Sequence, residues 1–543
     1  MNSGVLVRKE DLSWQAAASL WGAFALLAAG ACSSARAQIV LDGPSSITIT
    51  PHVSVTETYT SNVFLSNTNK RSELITQVSP GIQIVSRGGR IRGSLDYSLD
   101  ELWYARNTSG RRSQNSLNAL GTIEAVDNWA FIDFSGVIGQ QAISAFGTPA
   151  TNAAALNGNS TETSVFRVSP HIAGRLGSFA DYEARYSLLT SRSQADSVSG
   201  VDSQELSLRL SGTGNRRGTG WSFDADHQSF DYSVGRSTQS QRINGQVNFG
   251  LTDQFGTYVK GGYESSDFET TSDERRNFVA LGLSWNPNSD LTFNIDRDNR
   301  GATGLLVNWT PSKRTSVAIT RERRLYGDSH SIALTYRTPN TAWTYTDTRS
   351  AVANTGLATV GAPTSLYDVL YAQFAATETD PLKREQFGSY LQANGIRPNA
   401  TAITGFLTSA VSLQSLRQLS FALFGSRSTV TLIATQSNSR RLDTVSQAVD
   451  DLSNSGNVRQ SGFSIAYAYR FTANTMFNAV ASRQRSSDSL GLASTSSRSI
   501  DVNLSSRLSK ETTASVGARR VIFSSNTAPY SETAVTGNLN VQF

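Results

Sequence analysis

The residues whose types and spacing could support chemistry are two carboxylate pairs and four histidines. Asp224 and Asp226 are one residue apart, so both would lie on one face of a strand and could bind a cation through their oxygens. Asp296 and Asp298 repeat this spacing. The favoured alternative is that both pairs only line a solvated surface. The histidines lack metal-ligand partners at useful intervals, and they are His52, His171, His227 and His330.

No catalytic constellation accompanies these residues. The sequence has no nucleophile-elbow motif and no phosphate-binding loop. We therefore predict a protein that is not an enzyme, with no catalytic residues, no metal site and no cofactor.

Arginine is the dominant cation, with 42 arginines against 6 lysines, and the net charge of +5 is not gathered into a basic patch. A nucleic-acid partner is therefore not indicated. Guanidinium groups suit bidentate contacts to carboxylates, so an acidic polysaccharide is one possible partner. The alternative is that arginine–acid ladders simply fill and stiffen a barrel interior. The candidate lumen-lining residues are Arg92, Asp96, Asp100, Arg167, Arg175, Arg185, Arg209, Asp224, Lys260, Asp296 and Arg470.

The elements that must position these side chains are strands. Residues 91–100, 243–251 and 463–471 each alternate apolar or glycine positions with polar ones. Such segments of about ten residues, separated by turn signals, predict a transmembrane β-barrel whose strands face lipid on one side and water on the other. This also explains a mean hydropathy of only −0.28. A soluble antiparallel sandwich could show the same alternation.

Connection lengths favour the barrel over the sandwich. Short turns, such as 127–128 and 339–340, alternate with long polar stretches, such as 142–163 and 438–457. Outer-membrane barrels have tight periplasmic turns and longer outside loops. We predict an all-β fold: a single closed antiparallel barrel of about 24 strands over residues 47–543, with both ends on the periplasmic side, in a Gram-negative outer membrane.

Tryptophans support the same architecture. Four of them lie beside short turns and have the lipid-facing parity of their strands, as in the aromatic girdle of a barrel. Core tryptophans of a soluble sheet would not gather at one end of so many strands. The predicted girdle consists of Trp221, Trp285, Trp309 and Trp343.

The sequence ends on an alternating segment, 535–543, that closes with an aromatic residue. A terminal strand ending in Phe is how outer-membrane barrels present themselves to the insertion machinery. Phe543, with Val541 and Leu539 on the same face, is therefore the predicted assembly signal. The expected partners are outer-membrane lipid and that machinery.

Between about 350 and 410 the period becomes helical. Ser365 and Asp368 can form a capping box, and a second helix is predicted from Pro381 to Asn394. We predict that this small helical insert lies on the extracellular side and folds over the mouth as a lid. The alternative is a projecting lobe. The candidate lid residues are Tyr367, Tyr371, Phe374 and Phe387.

Residues 1–37 are predicted to be a secretory signal peptide, because a short basic region precedes an apolar run and small residues lead up to Ala37. Lipidation at Cys32 is the alternative. Cleavage after Ala37 would remove the only cysteine, which would exclude disulfides and thiol chemistry. Residues 38–46 are expected to form a short periplasmic segment.

Six segments carry a resemblance to a known family: 53–65, 77–81, 93–97, 140–147, 366–395 and 405–408. Through them the sequence resembles the outer-membrane β-barrel proteins associated with the PEP-CTERM/exosortase systems of exopolysaccharide-producing Gram-negative bacteria. The similarity covers nearly the whole mature chain. It implies an outer-membrane role near polysaccharide or protein export, and it supplies no functional residues.

The predicted function is a non-enzymatic conduit or scaffold for exopolysaccharide export, with the polymer or its export components as possible partners. A general porin is an alternative, but a lumen of about 24 strands would leak unless it were occluded. A plugged uptake receptor would need a large plug domain, whereas only residues 38–46 precede the first predicted strand. A structural anchor for surface polymer stays open.

Overall fold

The computed structural model describes residues 39–41, 47–106, 108–150, 152, 154–212, 219–234, 237–268, 274–353, 405–408, 410–442, 450–489, 491 and 493–543. Alternating side chains produce long strands because each strand separates lipid from water. The strands are β1 (Ile39–Leu41), β2 (Ile47–Thr60), β3 (Glu73–Gly88), β4 (Ile91–Tyr104), β5 (Arg111–Val126), β6 (Ala130–Ala142), β7 (Ser160–Leu176), β8 (Ala180–Ser193), β9 (Val201–Gly212), β10 (Thr219–Tyr232), β11 (Thr238–Gly250), β12 (Phe255–Ser266), β13 (Glu274–Asn288), β14 (Leu291–Asp298), β15 (Thr303–Ser312), β16 (Thr315–Arg324), β17 (Gly327–Arg337), β18 (Thr341–Ala353), β19 (Val411–Phe424), β20 (Ser428–Arg441), β21 (Asn457–Arg470), β22 (Thr475–Asp488), β23 (Ser494–Arg507), β24 (Thr512–Ser525) and β25 (Tyr530–Gln542).

These strands form one closed antiparallel ring. Each strand from β2 to β25 pairs with the next, and β25 returns to pair with β2, which gives 24 strands. Strand β1 pairs with residues 47–49 of β2. Strand β25 pairs with the same edge of β2 further along, at residues 52–60. At this seam the Asn538 amide donates to the Ser54 and Thr56 hydroxyls, each at 2.8 Å. The ring confirms the predicted fold class.

Short turns close one end of the ring and longer loops the other, as expected for the periplasmic and extracellular sides. Pro287 and Pro311 each follow a tryptophan by two residues near a short turn. Both lie at a register shift, because proline has no N–H to donate to the ladder.

The ring has two chemically different faces. Large apolar side chains such as Leu281, which is 67% exposed, recur on one face together with apolar partners in neighbouring strands. So much exposed apolar surface is stable only against lipid, so this is the outer face. The alternate positions carry polar and charged side chains and form the inner face.

The four predicted girdle tryptophans have the outer-face register, close to the short turns. Trp221 lies 5.3 Å from Phe179 between ring centroids, and Trp343 lies 4.3 Å from Phe421. Their role at the membrane interface stays a prediction.

The ring is flattened at its extracellular mouth. With 24 strands about 4.8 Å apart and tilted about 40°, a circular ring would hold the ends of β6 and β21 roughly 44 Å apart. Ser144 lies two residues beyond β6, Asp451 lies six residues before β21, and their side chains bond at 2.8 Å. Eight residues span at most about 28 Å. Opposite walls therefore approach each other.

The predicted insert is described only at its edges. Residues 350–353 are the last of β18, and 405–408 and 410 precede β19. The lid residues Tyr367, Tyr371, Phe374 and Phe387 lie outside the described residues, as do residues 1–37 and all of 38–46 except β1.

One helix, α1 (Asp451–Ser455), occurs in the described part of the chain. Asp450 caps it by accepting a hydrogen bond from the Ser453 N–H at 2.8 Å, and Gly456 ends it with φ at +67°. No helix in the described ranges combines the length and apolar character needed to span a membrane.

Candidate functional site: the lumen and its mouth

The candidate lumen-lining residues all have the inner-face register, and the structure spreads them around the wall. Only Lys260 and Asp296 line a common recess. Arg185 bonds the Asp133 carboxylate at 2.6 Å, and Arg175 bonds Asp181 at 2.8 Å. What these residues do in the lumen stays a prediction.

Five of these inner-face arginines are solvent-exposed. Arg175 pairs with Asp181, and Arg470 donates to the Ser426 carbonyl at 3.2 Å, which leaves Arg92, Arg167 and Arg209. They lie on β4, β7 and β9, and none of them forms an ion pair with another described residue. Their guanidinium groups are therefore available to an anion inside the lumen.

A second inner-face feature, the corner network, consists of Arg242, Glu264, Glu322 and Arg324. Arg324 bonds Glu264 at 2.7 Å and Glu322 at 3.0 Å, and Arg242 bonds Glu322 at 2.7 Å. These side chains come from β11, β12 and β16. In a circular ring β11 and β16 would be roughly 29 Å apart, far beyond side-chain reach, so the wall bends sharply here.

The carboxylate pair on β14 is already used by the chain itself. Asp296 accepts a hydrogen bond from the Tyr258 hydroxyl at 3.0 Å. Asp298 pairs with Arg276 and accepts from the Ala302 N–H at 2.8 Å. Within the described ranges, no group of three or more His, Cys, Asp or Glu side chains could hold a metal ion.

The loop between β6 and β7, residues 143–159, lies at the mouth and is here named the cap loop; its described residues contact several other elements there. Its Leu156 N–H donates to the Val63 carbonyl of the β2–β3 loop at 2.9 Å. The Tyr104 hydroxyl of β4 donates to the Ala154 carbonyl at 2.9 Å, and the Tyr530 hydroxyl of β25 donates to the Pro149 carbonyl at 3.2 Å. The cap loop thus reaches across the lumen to several strands on both sides of the seam.

Apolar side chains seal these contacts. Ala154 packs in one cluster and Ala155 in another, and both clusters consist of side chains from the extracellular ends of strands and the β2–β3 loop. Burial of such apolar surface is the main force that holds a loop against a wall. The first cluster is Val63, Ile75, Leu102, Tyr104 and Ala154, and the second is Leu65, Ala155, Val521, Phe523 and Tyr530.

The far end of the cap loop is tied to α1. The Ser144 hydroxyl and the Ala145 N–H donate to the two carboxylate oxygens of Asp451, at 2.8 and 2.6 Å. The Thr408 hydroxyl, which follows the insert, donates to the adjacent Asp450 at 2.5 Å. Helix α1 therefore joins the cap loop and the end of the insert in one polar junction.

The junction should respond to pH. Burial raises the pKa of the Asp451 carboxyl, hydrogen bonds from Ser144 and Ala145 lower it less, and Asp450 adds to the rise. Docking of the cap loop therefore favours the protonated carboxyl. Its stability is greatest below the ordinary aspartate pKa and declines as pH rises through the raised pKa. We expect the open probability of single channels to increase as the pH rises above the ordinary aspartate pKa of about 4.

Asp451→Asn should flatten this pH dependence, because an amide does not titrate. Asp127→Asn, in an exposed periplasmic turn, is the matched control and should retain it. An unchanged pH profile in Asp451→Asn would show that another group controls docking.

The cap loop was not predicted as an occluding element. From sequence, residues 142–163 looked like an ordinary long polar loop, and the lid was placed in the insert instead. The one local signal is the apolar run Ala154–Leu156 inside a polar loop. Its partners are distant: Ser144 and Asp451 are 307 positions apart.

No protein-family model matches the chain, and no curated protein matches it in sequence. Among solved structures, the FrpB iron transporter from Neisseria meningitidis (F5-1 variant) is similar, with a TM-score of 0.45 and 11% identity over 93% of this chain and 83% of that chain. The siderophore receptor PirA from Acinetobacter baumannii has a TM-score of 0.39 and 10% identity over 91% and 80%. Acinetobacter baumannii OccAB2 has a TM-score of 0.32 and 10% identity over 91% and 98%. By its closed ring and its lipid-facing surface, the chain is an outer-membrane β-barrel of 24 strands.

Proposed function

We propose that this barrel is a gated outer-membrane conduit for an anionic polymer. The observation that carries the proposal is the cap loop, which lies across the mouth and is tied to separate loops by a few hydrogen bonds and two small apolar clusters. A ring of 24 strands left open would admit solutes that an outer membrane must exclude. Contacts this limited in number can open and close on the timescale of loop motions.

The proposed cargo is an acidic polysaccharide. Arg92, Arg167 and Arg209 offer exposed guanidinium groups on the inner wall, and carboxylates of a sugar polymer would accept bidentate hydrogen bonds from them. The resemblance to exosortase-associated barrels favours export of exopolysaccharide as the physiological process. No catalytic step is part of this proposal.

Block of ionic current by short oligouronates tests the cargo. In channels whose cap loop has been replaced by a short turn, oligouronates should block at micromolar to millimolar concentration, because several guanidinium contacts act together. The triple variant Arg92→Gln, Arg167→Gln, Arg209→Gln should need roughly tenfold more oligouronate for half block. The control is the double variant Arg314→Gln, Arg427→Gln, whose changes lie in exposed periplasmic turns. Oligouronate should block it at the same concentration as the parent channel.

Neutral dextran fragments of equal length separate charge recognition from size. Equal block by dextran, or an unaffected triple variant, would favour a general porin that selects only by size. A correctly folded barrel that carries no current even without its cap loop would favour a structural anchor.

A further inference from the structure

The outer face of β20 to β24 carries six solvent-exposed arginines, here named the arginine patch. They lie in the extracellular halves of five consecutive strands. Arg483 and Arg498 are direct cross-strand partners. The members of the patch are Arg440, Arg459, Arg483, Arg485, Arg498 and Arg520.

Among the described residues, no carboxylate neutralises the patch. The acidic residues of these five strands are Asp488 and Asp501, and both have the inner-face register. No member of the patch forms an ion pair with a described residue. Arg520 donates a long side-chain hydrogen bond, 3.4 Å, to the Thr533 hydroxyl. Like charges directly opposite each other on a sheet are destabilising, so Arg483 and Arg498 require an external anion.

Four other outer-face arginines are neutralised by carboxylates within the chain. At these four positions the partner carboxylate also lies on the outer face, whereas the acidic residues of β20–β24 have the inner-face register. The neutralised pairs are Arg111 with Glu101 at 2.7 Å, Arg192 with Asp202 at 2.7 Å, Arg323 with Asp328 at 3.1 Å and Arg417 with Asp347 at 3.2 Å.

The position of the patch fits the outer edge of the membrane. Phe477 lies near the periplasmic turn of β22, and Arg483 lies six residues further along the strand, which is a rise of roughly 15 Å. Arginine side chains extend several ångströms further towards water, which brings the guanidinium groups close to the upper limit of a band about 25 Å tall. Phe463 and Ile500, 45% and 59% exposed, lie beside and below them on the same face.

We propose that the arginine patch binds the phosphate groups of a phosphorylated, multiply acylated glycolipid of the outer leaflet, of the lipid A type. Phosphate accepts paired hydrogen bonds from guanidinium, and two phosphates on one headgroup can bridge the cross-strand arginines. The exposed apolar side chains beneath supply a surface for acyl chains. A soluble acidic polymer would use the charges but not this apolar surface, so the geometry favours a lipid.

Binding of diphosphoryl lipid A to the full-length protein in detergent tests this inference, with thermophoresis and native mass spectrometry as readouts. Arg483→Gln, Arg485→Gln, Arg498→Gln should weaken binding at least tenfold. The corresponding lysine triple should lose less, because it keeps the charge but not the bidentate geometry. The control triple Arg111→Gln, Arg192→Gln, Arg323→Gln should bind like the parent. Heat-modifiable migration on gels verifies that each variant is folded.

Ligand variants identify the chemistry. Dephosphorylated lipid A should bind at least tenfold more weakly, and inorganic phosphate should not compete. Full-strength binding of the dephosphorylated lipid, or an unaffected glutamine triple, would overturn the proposal. If inorganic phosphate competes at concentrations similar to those of lipid A, the patch is a simple anion site and not a lipid site. Displacement of lipid A by soluble oligouronate would assign the patch to a surface polymer instead. None of these outcomes depends on conduction through the lumen.

Discussion

Replacement of residues 144–158 by Asn-Gly is expected to raise the single-channel conductance roughly five- to tenfold, because conductance follows the open cross-section of a wide ring. The shortened hairpin should form readily. The Ile143 N–H already donates to the Asn159 carbonyl at 3.1 Å, and Asn-Gly is the preferred two-residue turn at such a position. The change removes Ala154 and Ala155 from the two apolar clusters and frees Asp451. Planar-bilayer recordings measure the effect directly.

Two matched variants locate the barrier. Shortening the β8–β9 loop (194–200), whose described hydrogen bonds to other elements involve Glu162, Ser233 and Val234, should leave conductance unchanged. Excision of residues 354–404 tests the lid predicted from sequence. If only that excision opens the channel and the cap variant stays closed, the cap loop is not the barrier.

Arg324→Met is expected to lower the free energy of unfolding by about 3–5 kcal/mol, because it leaves carboxylates without their partner in a largely desolvated corner. The Glu264 side chain is only 7% exposed, and without Arg324 it keeps the hydrogen bond from the Leu325 N–H at 3.3 Å. Glu322 keeps Arg242 but loses its second cation. Urea unfolding of the barrel in liposomes, followed by tryptophan fluorescence, measures the change.

Arg314→Met provides the control, because Arg314 lies exposed in a periplasmic turn and should tolerate the same substitution. The double variant Arg324→Met, Glu264→Met should be less damaging than the single one, since it removes the charge that would be stranded. Equal stability of Arg324→Met and Arg314→Met would show that the corner network contributes nothing to the folded ring.

The strands were predictable because their cause is local. A residue in a barrel wall faces lipid or water according to parity alone, so segments such as 243–251 determine both the strand and the face of each side chain. Parity also gives the inner-face register of Arg242 and Glu322. It does not reveal that the two meet, because their contact joins residues 80 positions apart through a bend in the wall.

The role of the cap loop could not be predicted from the sequence, for the same reason. The apolar run Ala154–Leu156 indicates that these side chains are buried. The pattern does not show which surface buries them, and the residues that do so come from both ends of the chain. The helical pattern of residues 350–410 is a stronger local signal, so the sequence predicts the lid in the insert. Most of that segment lies outside the described residues, so its role stays a prediction.

The flattened mouth has a consequence for how the aperture can change. The number of strands fixes the perimeter of the ring, whereas the enclosed area depends on its outline and is largest for a circle. The passage can therefore widen or narrow with every ladder bond kept intact. The bond of Ser144 with Asp451 holds opposite walls together, and the bond of Arg242 with Glu322 holds the bend in the wall closed. Releasing such bonds lets the same length of wall enclose a larger opening.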